Sequence, residues 1–271
     1  MNYRHAFHAG NFADCMKHAL LVWLQEALNR KPAGVFYLDT HAGIGHYDLS
    51  SPEAERTGEW HDGIARLTSP PQAIADYVGL VRELGFYPGS PALIRARMRP
   101  QDRMACCELH PDDNAILRRH FGRDSQVAVH KRDAWEALGA LLPPAEKRAL
   151  VLIDPPFEAT DEFTRLAAGL QLGHSRFRTG VFAAWYPVKH LAPPREFKLT
   201  LRQSGMRDIV AVELWLRAPL DATRLNGCGL VVINPPFGFE AAAKDILHAL
   251  LSRLGDGEQG CGISVERLVD E

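Results

Sequence analysis

Apolar residues first recur at helical spacing at Ala13, Met16, Leu20, Trp23, Leu24 and Ala27, which predicts an amphipathic helix. Asn11 stands where a cap is needed, and Asp14 suits the positive end of the helix dipole. Lys17 falls on the flank of the stripe and His18 nearly opposite it, so His18 is expected to meet solvent or another site rather than this helix's core. The pattern then changes to short apolar runs at 35–39, 104–108, 127–130, 149–153, 180–185, 209–216 and 229–233, which read as strands. The run at 209–216 alternates apolar and polar residues, as an antiparallel strand does. A last amphipathic helix is predicted over Phe239–Leu254.

Strands alternating with helices predict an α/β fold built on a mostly parallel sheet of seven strands. Residues 46–88 interrupt that alternation. Trp60, Ile64 and Leu67 mark one short helix there, and Ile74, Tyr77, Val78, Val81 and Leu84 a second, with Pro70-Pro71 between them. The expected organisation is one domain made of 1–45 and 89–271, with 46–88 as a small helical insertion after the first strand. The main fold resumes at Gly89-Ser90-Pro91, with Ser90 expected as the helix cap.

Composition narrows the class without choosing it. The 271 residues are 46% hydrophobic and 24% charged, ordinary for a soluble globular protein. A net charge of −2 makes no global case for nucleic acid, so any such surface must be local. The five cysteines have no ligand-like spacing, and the twelve histidines are scattered, so reduced thiols and no metal are expected. No apolar stretch approaches ~20 residues and no signal-peptide core opens the chain, which predicts a cytoplasmic protein outside the membrane.

The chemistry gathers at Asp154-Pro155-Pro156-Phe157, directly after the apolar run at 149–153. Neither proline can donate, so the carbonyls of Asp154 and Pro155 are expected to be free to accept. The Asp154 carboxylate beside them, with the face of Phe157 below, makes a receptor for a planar aromatic amine. Accepting both amine hydrogens favours a more tetrahedral, nucleophilic nitrogen, which methylation of adenine N6 requires. Gly43-x-Gly45 after the first strand can bring backbone close to a nucleotide. Glu108 ends the second strand, where a ribose diol is held in such folds, and Asp133 follows the third. Asn234-Pro235-Pro236-Phe237 echoes the central motif. Two basic runs offer phosphate contacts: Arg95, Arg97, Arg99 and Arg103, then Arg195, Lys198, Arg202 and Arg207. Tyr3 and Arg4 lie in an N-terminal arm with no apolar period and are better candidates.

This layout is that of a Rossmann-like methyltransferase, and the resemblance goes further. Residues 3–18 (YRHAFHAGNFADCMKH), 38–45 (LDTHAGIG), 54–58 (AERTG), 87–91 (YPGSP), 108–111 (ELHP) and 185–188 (WYPV) resemble the ribosomal RNA large subunit methyltransferase J family over essentially the whole chain. The resemblance implies methyl transfer from S-adenosylmethionine to adenine N6 in 23S ribosomal RNA, of the adenine-2030 type, leaving S-adenosylhomocysteine. It implies cofactor contacts at His18, His41, Ser90, Glu108, Asp133, Ala134 and Asp154, with Asp154 as catalytic acceptor beside Pro155 and Phe157. It also implies an RNA contact at Tyr3, and a monomer is expected. Family members often carry Tyr at Phe157 and a bulkier aromatic at Phe237; Phe157 keeps the stacking face. A DNA adenine or protein glutamine methyltransferase shares the motif type. A nicotinamide oxidoreductase would leave DPPF unused, and a catalytically silent RNA-binding protein would not need Asp154.

Overall fold

The computed structural model describes residues 4–271. Helix α1 (Phe12–Asn29) starts where Asn11 Oδ1 accepts the Asp14 N–H at 2.9 Å, as the pattern predicts. Strand β1 (Phe36–Asp39) follows, and then the interrupting segment. That segment opens and closes on a two-stranded ladder of β2 (His46–Tyr47) and β3 (Tyr87–Pro88). Between them lie α2 (Pro52–Thr57), two 3-10 turns (Glu59–Asp62 and Ile64–Arg66) and α3 (Gln72–Leu84). Ile74, Tyr77 and Val78 of α3 enter the same apolar cluster as α1.

The remaining elements alternate: α4 (Ser90–Ala96), β4 (Arg103–Cys107), α5 (Pro111–Phe121), β5 (Val127–His130), α6 (Ala134–Ala140), β6 (Ala149–Ile153), α7 (Glu162–Arg176), β7 (Val181–Val188) and α8 (Ala192–Arg202). The chain ends with β8 (Ile209–Trp215), β9 (Gly227–Ile233), α9 (Phe239–Leu254) and β10 (Gly262–Val269). The main sheet runs β10-β8-β9-β7-β6-β1-β4-β5. Strands β5, β4, β1, β6 and β7 are parallel to one another, whereas β9 is antiparallel to both β7 and β8. Alternate side chains of each strand feed two cores. Leu150 and Leu152 pack with α1, α3, α4 and α9 on one face; Val151 and Ile153 pack with α6, α7 and α8 on the other. This is the Rossmann-like sheet the pattern predicts.

One expectation needs correcting. The sheet has eight strands rather than seven, because β10 pairs antiparallel with β8 at the edge. Its sequence, Gly-Ile-Ser-Val-Glu-Arg-Leu-Val, is only partly buried and carries polar residues throughout, so it has none of the continuous apolar run of an inner strand. The echo motif at Asn234 follows β9, nearer the β10 edge than β6, and does not share the place of the motif it copies. Antiparallel β9 pairs Ile233 with Phe182 at the start of β7, while parallel β6 pairs Ile153 with Ala184. Asn234 and Asp154 therefore lie at opposite ends of the strands.

Candidate active site

Strand order reverses at β1, whose neighbours β4 and β6 each lead away from it, and such a crevice at the carboxyl ends of parallel strands is where α/β sheets bind ligands. A cleft of ≈ 940 Å³ opens there. His18, His41, Ser90, Glu108, Asp133, Ala134, Asp154, Pro155 and Phe157 all line it, although they come from separate parts of the chain.

One half is built around the turn after β1. Gly43 has φ +58°, and a Cβ there would collide with the Tyr47 hydroxyl. The Gly43 N–H donates to Glu108 Oε2 at 2.9 Å, and the His110 N–H to Glu108 Oε1 at 2.7 Å. Burial raises the Glu108 pKa, an effect these two N–H groups only partly offset. Asp133 caps α6, its Oδ1 accepting the Trp135 and Glu136 N–H groups, and Ala134 is buried behind it. Ser90 does not cap its helix. Gly89 holds that position, and the Ser90 hydroxyl donates instead to Asp39 Oδ2 at 2.6 Å. Burial lifts the Asp39 pKa to about 6 despite this bond.

Both histidines are neutral walls. Burial lowers His41 to about 4; its Nδ1 lies 2.9 Å from Thr40 Oγ1 and accepts the Asp154 N–H at 3.3 Å, so the ring proton sits on Nε2. His18 is 1% exposed, a buried residue on the side of α1 away from its apolar stripe. Its Nδ1 meets the Tyr87 hydroxyl at 3.1 Å, and burial lowers its pKa to about 3. Its Nε2 has no hydrogen-bond partner among the described residues.

The other half holds the DPPF turn. Lys17 Nζ lies 2.5 Å from Asp154 Oδ2 and 3.0 Å from Asp14 Oδ1, and Asp14 Oδ2 is 2.9 Å from His5 Nε2. Burial would lower Lys17, but Asp14 and Asp154 outweigh it and hold the pKa well above the usual range. Burial would likewise raise Asp14, yet His5 and Lys17 hold it well below the usual carboxylate range. Asp154 Oδ1 accepts no hydrogen bond from the described residues, and neither do the Asp154 and Pro155 carbonyls. Phe157 has φ +51° and stands edge-on to Phe163 at 4.8 Å and to Trp185 at 5.9 Å. Spacing placed Lys17 only on the flank of the α1 stripe. The spacing of Asp14 and Lys17 (i, i+3) was the available signal for that pair, but nothing local ties them to Asp154.

Other predicted contacts fall elsewhere. Tyr3 lies outside the described residues. Arg4 does not line the cleft but is half-exposed beside a small cavity that shares His5, Tyr47 and Asp113 with it, 3.4 Å from Asp113. The first basic run is engaged within the fold: Arg95 with Asp124, Arg97 with Glu26, and Arg99 with Asp102 and three backbone carbonyls. Arg103 bonds the carbonyls of Pro100 and Asp102. In the second run Lys198 and Arg202 bind Glu266 of β10, and Arg207 binds the C-terminal carbonyls. In the echo motif Asn234 has φ +54° and donates to the Arg178 and Gly180 carbonyls at 2.7 Å each, while Phe237 is 98% exposed. Among the described residues no cluster of three or more His, Cys, Asp or Glu is poised to hold a metal, and no helix is long and apolar enough to cross a membrane.

Known proteins resemble the chain along nearly its full length. It is 42% identical over 264 residues to ribosomal RNA large subunit methyltransferase J of Haemophilus influenzae, covering 94% of each chain. It is 40% identical over 263 residues to the Escherichia coli protein of the same name, again covering 94% of each. A crystal structure of a Legionella pneumophila protein matches it with a TM-score of 0.88 at 34% identity, over 96% of this chain and 98% of that one. The family described as ribosomal RNA large subunit methyltransferase D, RlmJ, matches residues 32–269. With that match resting on the same sheet and glycine turn that build the cleft, the chain belongs to the RlmJ family of ribosomal RNA large subunit methyltransferases.

Proposed function

We propose that this enzyme transfers a methyl group from S-adenosylmethionine to N6 of an adenine in 23S ribosomal RNA, with Asp154, Pro155 and Phe157 as the acceptor-base site. The observation that carries this reading is that the DPPF turn closes the same cleft that holds His41, Glu108 and Asp133. The residues present fit the cofactor. Glu108 retains lone pairs for a ribose diol, Asp133 Oδ2 is free for an amino group, and the buried His18 Nε2 lacks a partner among the described residues. A wall rich in carboxylates also suits a cation. When bound, S-adenosylmethionine supplies an electrophilic methyl carbon on a positively charged sulfur.

The chain's own part is to hold the amine. Asp154 Oδ1 and the Pro155 carbonyl accept the two N6 hydrogens, while Lys17 grips Oδ2 and stops the carboxylate rotating away. These bonds strengthen as the nitrogen becomes tetrahedral and its hydrogens more acidic, so they act on the barrier more than on binding. The nitrogen lone pair forms the new N–C bond as the bond from methyl carbon to sulfur breaks and its electron pair stays on the sulfur, and the surplus N–H proton then departs to solvent. Extruding a base costs a few kcal/mol, and stacking on Phe157 returns ~1–3 kcal/mol. Those terms roughly cancel, leaving discrimination to the N6 contacts.

The test is transfer of labelled methyl to 23S fragments, to matched DNA and to a glutamine peptide, with nucleoside analysis of the product. N6-methyladenosine in RNA, lost in Asp154→Ala, is the expected result. Label confined to DNA or to peptide would refute the RNA reading.

A further inference from the structure

The charges lining the cleft are unevenly spread. Around the DPPF turn the acids Asp14, Glu108, Asp133, Glu158 and Glu162 outnumber the cations Lys17, Arg132 and Arg165, and Lys17 and Arg165 are paired there with Asp14, Asp154 and Glu162. Beyond Trp185 the lining cations are Lys189, Arg217 and Arg224, and the lining acid Asp256 is paired with Arg66. A polyanion is therefore attracted more strongly at that end.

These cations are brought together by the fold. Val181, Ala183 and Trp185 of β7 point to the α1 side of the sheet, and strand alternation carries Pro187 and Lys189 along that same face. Arg217 and Arg224 come from the loop between β8 and β9. Asn226, fully buried, fastens this loop to the end of β7: its Nδ2 donates to the Lys189 carbonyl at 2.8 Å and to the Asp221 carbonyl at 2.7 Å, and its N–H to the Val188 carbonyl at 3.2 Å. Lys189 is exposed and has no acid within 4.0 Å among the described residues. Arg217 bonds Glu258 at 2.9 Å and the Leu225 carbonyl at 3.2 Å; Arg224, 52% exposed, reaches Glu258 at 3.8 Å. In the two basic runs evident in the sequence every side chain but Arg195 is paired with groups of the protein itself. This cluster had no sequence signal and keeps two cations at the cleft mouth with weak or no pairing.

We propose that Lys189, Arg217 and Arg224 form a phosphate-binding rim for the RNA strand that carries the acceptor base. The proposal rests on the RNA reading above and adds the direction from which the strand arrives. Trp185 to Lys189 spans four residues, on the order of 13 Å of strand. The phosphate gripped there accordingly belongs to a nucleotide beyond the flipped one, and the rim sets the register of the strand over Phe157.

The test removes the two cations least engaged with the protein while keeping their apolar stems, in the double variant Lys189→Met/Arg224→Met. Fluorescence anisotropy with a labelled 23S fragment should show Kd about tenfold weaker at low salt. The slope of log Kd against log salt should become shallower by about 1.4, from ~0.7 for each phosphate that the variant no longer neutralises on single-stranded RNA. S-adenosylmethionine affinity by calorimetry and the melting temperature should match the parent. A control pair of exposed lysines outside the cleft, Lys31→Met/Lys244→Met, should leave Kd and slope near the parent's. Unchanged Kd and slope, or an equal change in the control, would overturn the rim. Because binding is read without methyl transfer, a weakened double variant of a protein that labels no RNA would keep the rim and refute the methylation reading instead.

Discussion

Lys17→Met tests the link between fold and chemistry most directly. The Lys17 side chain is 6% exposed, and its ammonium sits 3.0 Å from Asp14 and 2.5 Å from Asp154, whose side chains are 2% and 16% exposed. Removing one member of a buried ion pair leaves its partner desolvated and uncompensated, at a cost of about 3–5 kcal/mol. Asp14 keeps His5 at 2.9 Å and the Gly10 N–H at 3.0 Å, so the lower end, about 3 kcal/mol, applies. At about 2–4 °C for each kcal/mol in a chain near this size, the melting temperature should fall by roughly 6–12 °C. The lysine pKa is raised, so its own titration removes the stabilisation only as pH climbs above the ordinary lysine range, while on the acid side the pair is lost as pH falls below the ordinary carboxylate range through the lowered pKa of Asp14. Activity should fall further than stability explains. With Oδ2 released, Asp154 no longer holds one orientation, and kcat for RNA should drop well below a tenth of the parent value at a temperature where the variant is fully folded. Scanning calorimetry and single-turnover methyl transfer read the two effects separately. A variant melting within about 2 °C of the parent with unchanged kcat would show that the Lys17 contacts contribute neither stability nor orientation.

Three further outcomes follow from the geometry. Glu108→Ala should weaken S-adenosylmethionine binding by roughly ten- to a hundredfold, since hydrogen bonds to a charged acceptor contribute ~1.5–3 kcal/mol; isothermal calorimetry showing parental affinity would remove Glu108 from the site. Asp154→Ala should abolish turnover with cofactor affinity near normal, whereas Asn234→Ala should keep kcat and lose about 1–2 kcal/mol of stability, because it strands two carbonyls and puts a Cβ without a local hydrogen bond at φ +54°. The opposite pattern in well-folded variants would reverse the roles of the two motifs. His18, lowered to about 3 by burial, must gain a proton on unfolding, so its stabilisation is whole above pH 6.5 and is lost as pH falls towards 3. His18→Gln should therefore flatten the acid limb of stability against pH by about 1.4 kcal/mol per pH unit between 6 and 4, and equal slopes in urea titrations of the two proteins would refute a buried neutral His18.

Most of the elements, and most of the places where chemistry could sit, are legible in the order of residues along the chain. Apolar runs such as 149–153 record burial on both faces, the stripe from Ala13 to Ala27 records helical period, and a strand ending in Asp-Pro-Pro-Phe is a local statement about which groups can accept. Local pattern also explains the misses. Strand β10 lies on an edge and needs no continuous apolar run, and Gly89 rather than Ser90 has the cap geometry because the Ser90 hydroxyl is drawn to Asp39, 51 residues away. Which of these places meet is settled only when the chain folds. Lys17 and Asp154 are 137 residues apart, and Asn226 joins two loops to assemble cations that no run of sequence announces. The two Pro-Pro-Phe motifs make the point physically. They are almost alike in sequence, but β6 is parallel to β1 and β9 is antiparallel to β7, so one motif closes the cleft and the other projects Phe237 into solvent at the far end. Strand direction is a property of the sheet as a whole, set by side-chain packing on both faces across many strands, and no tetrapeptide carries it.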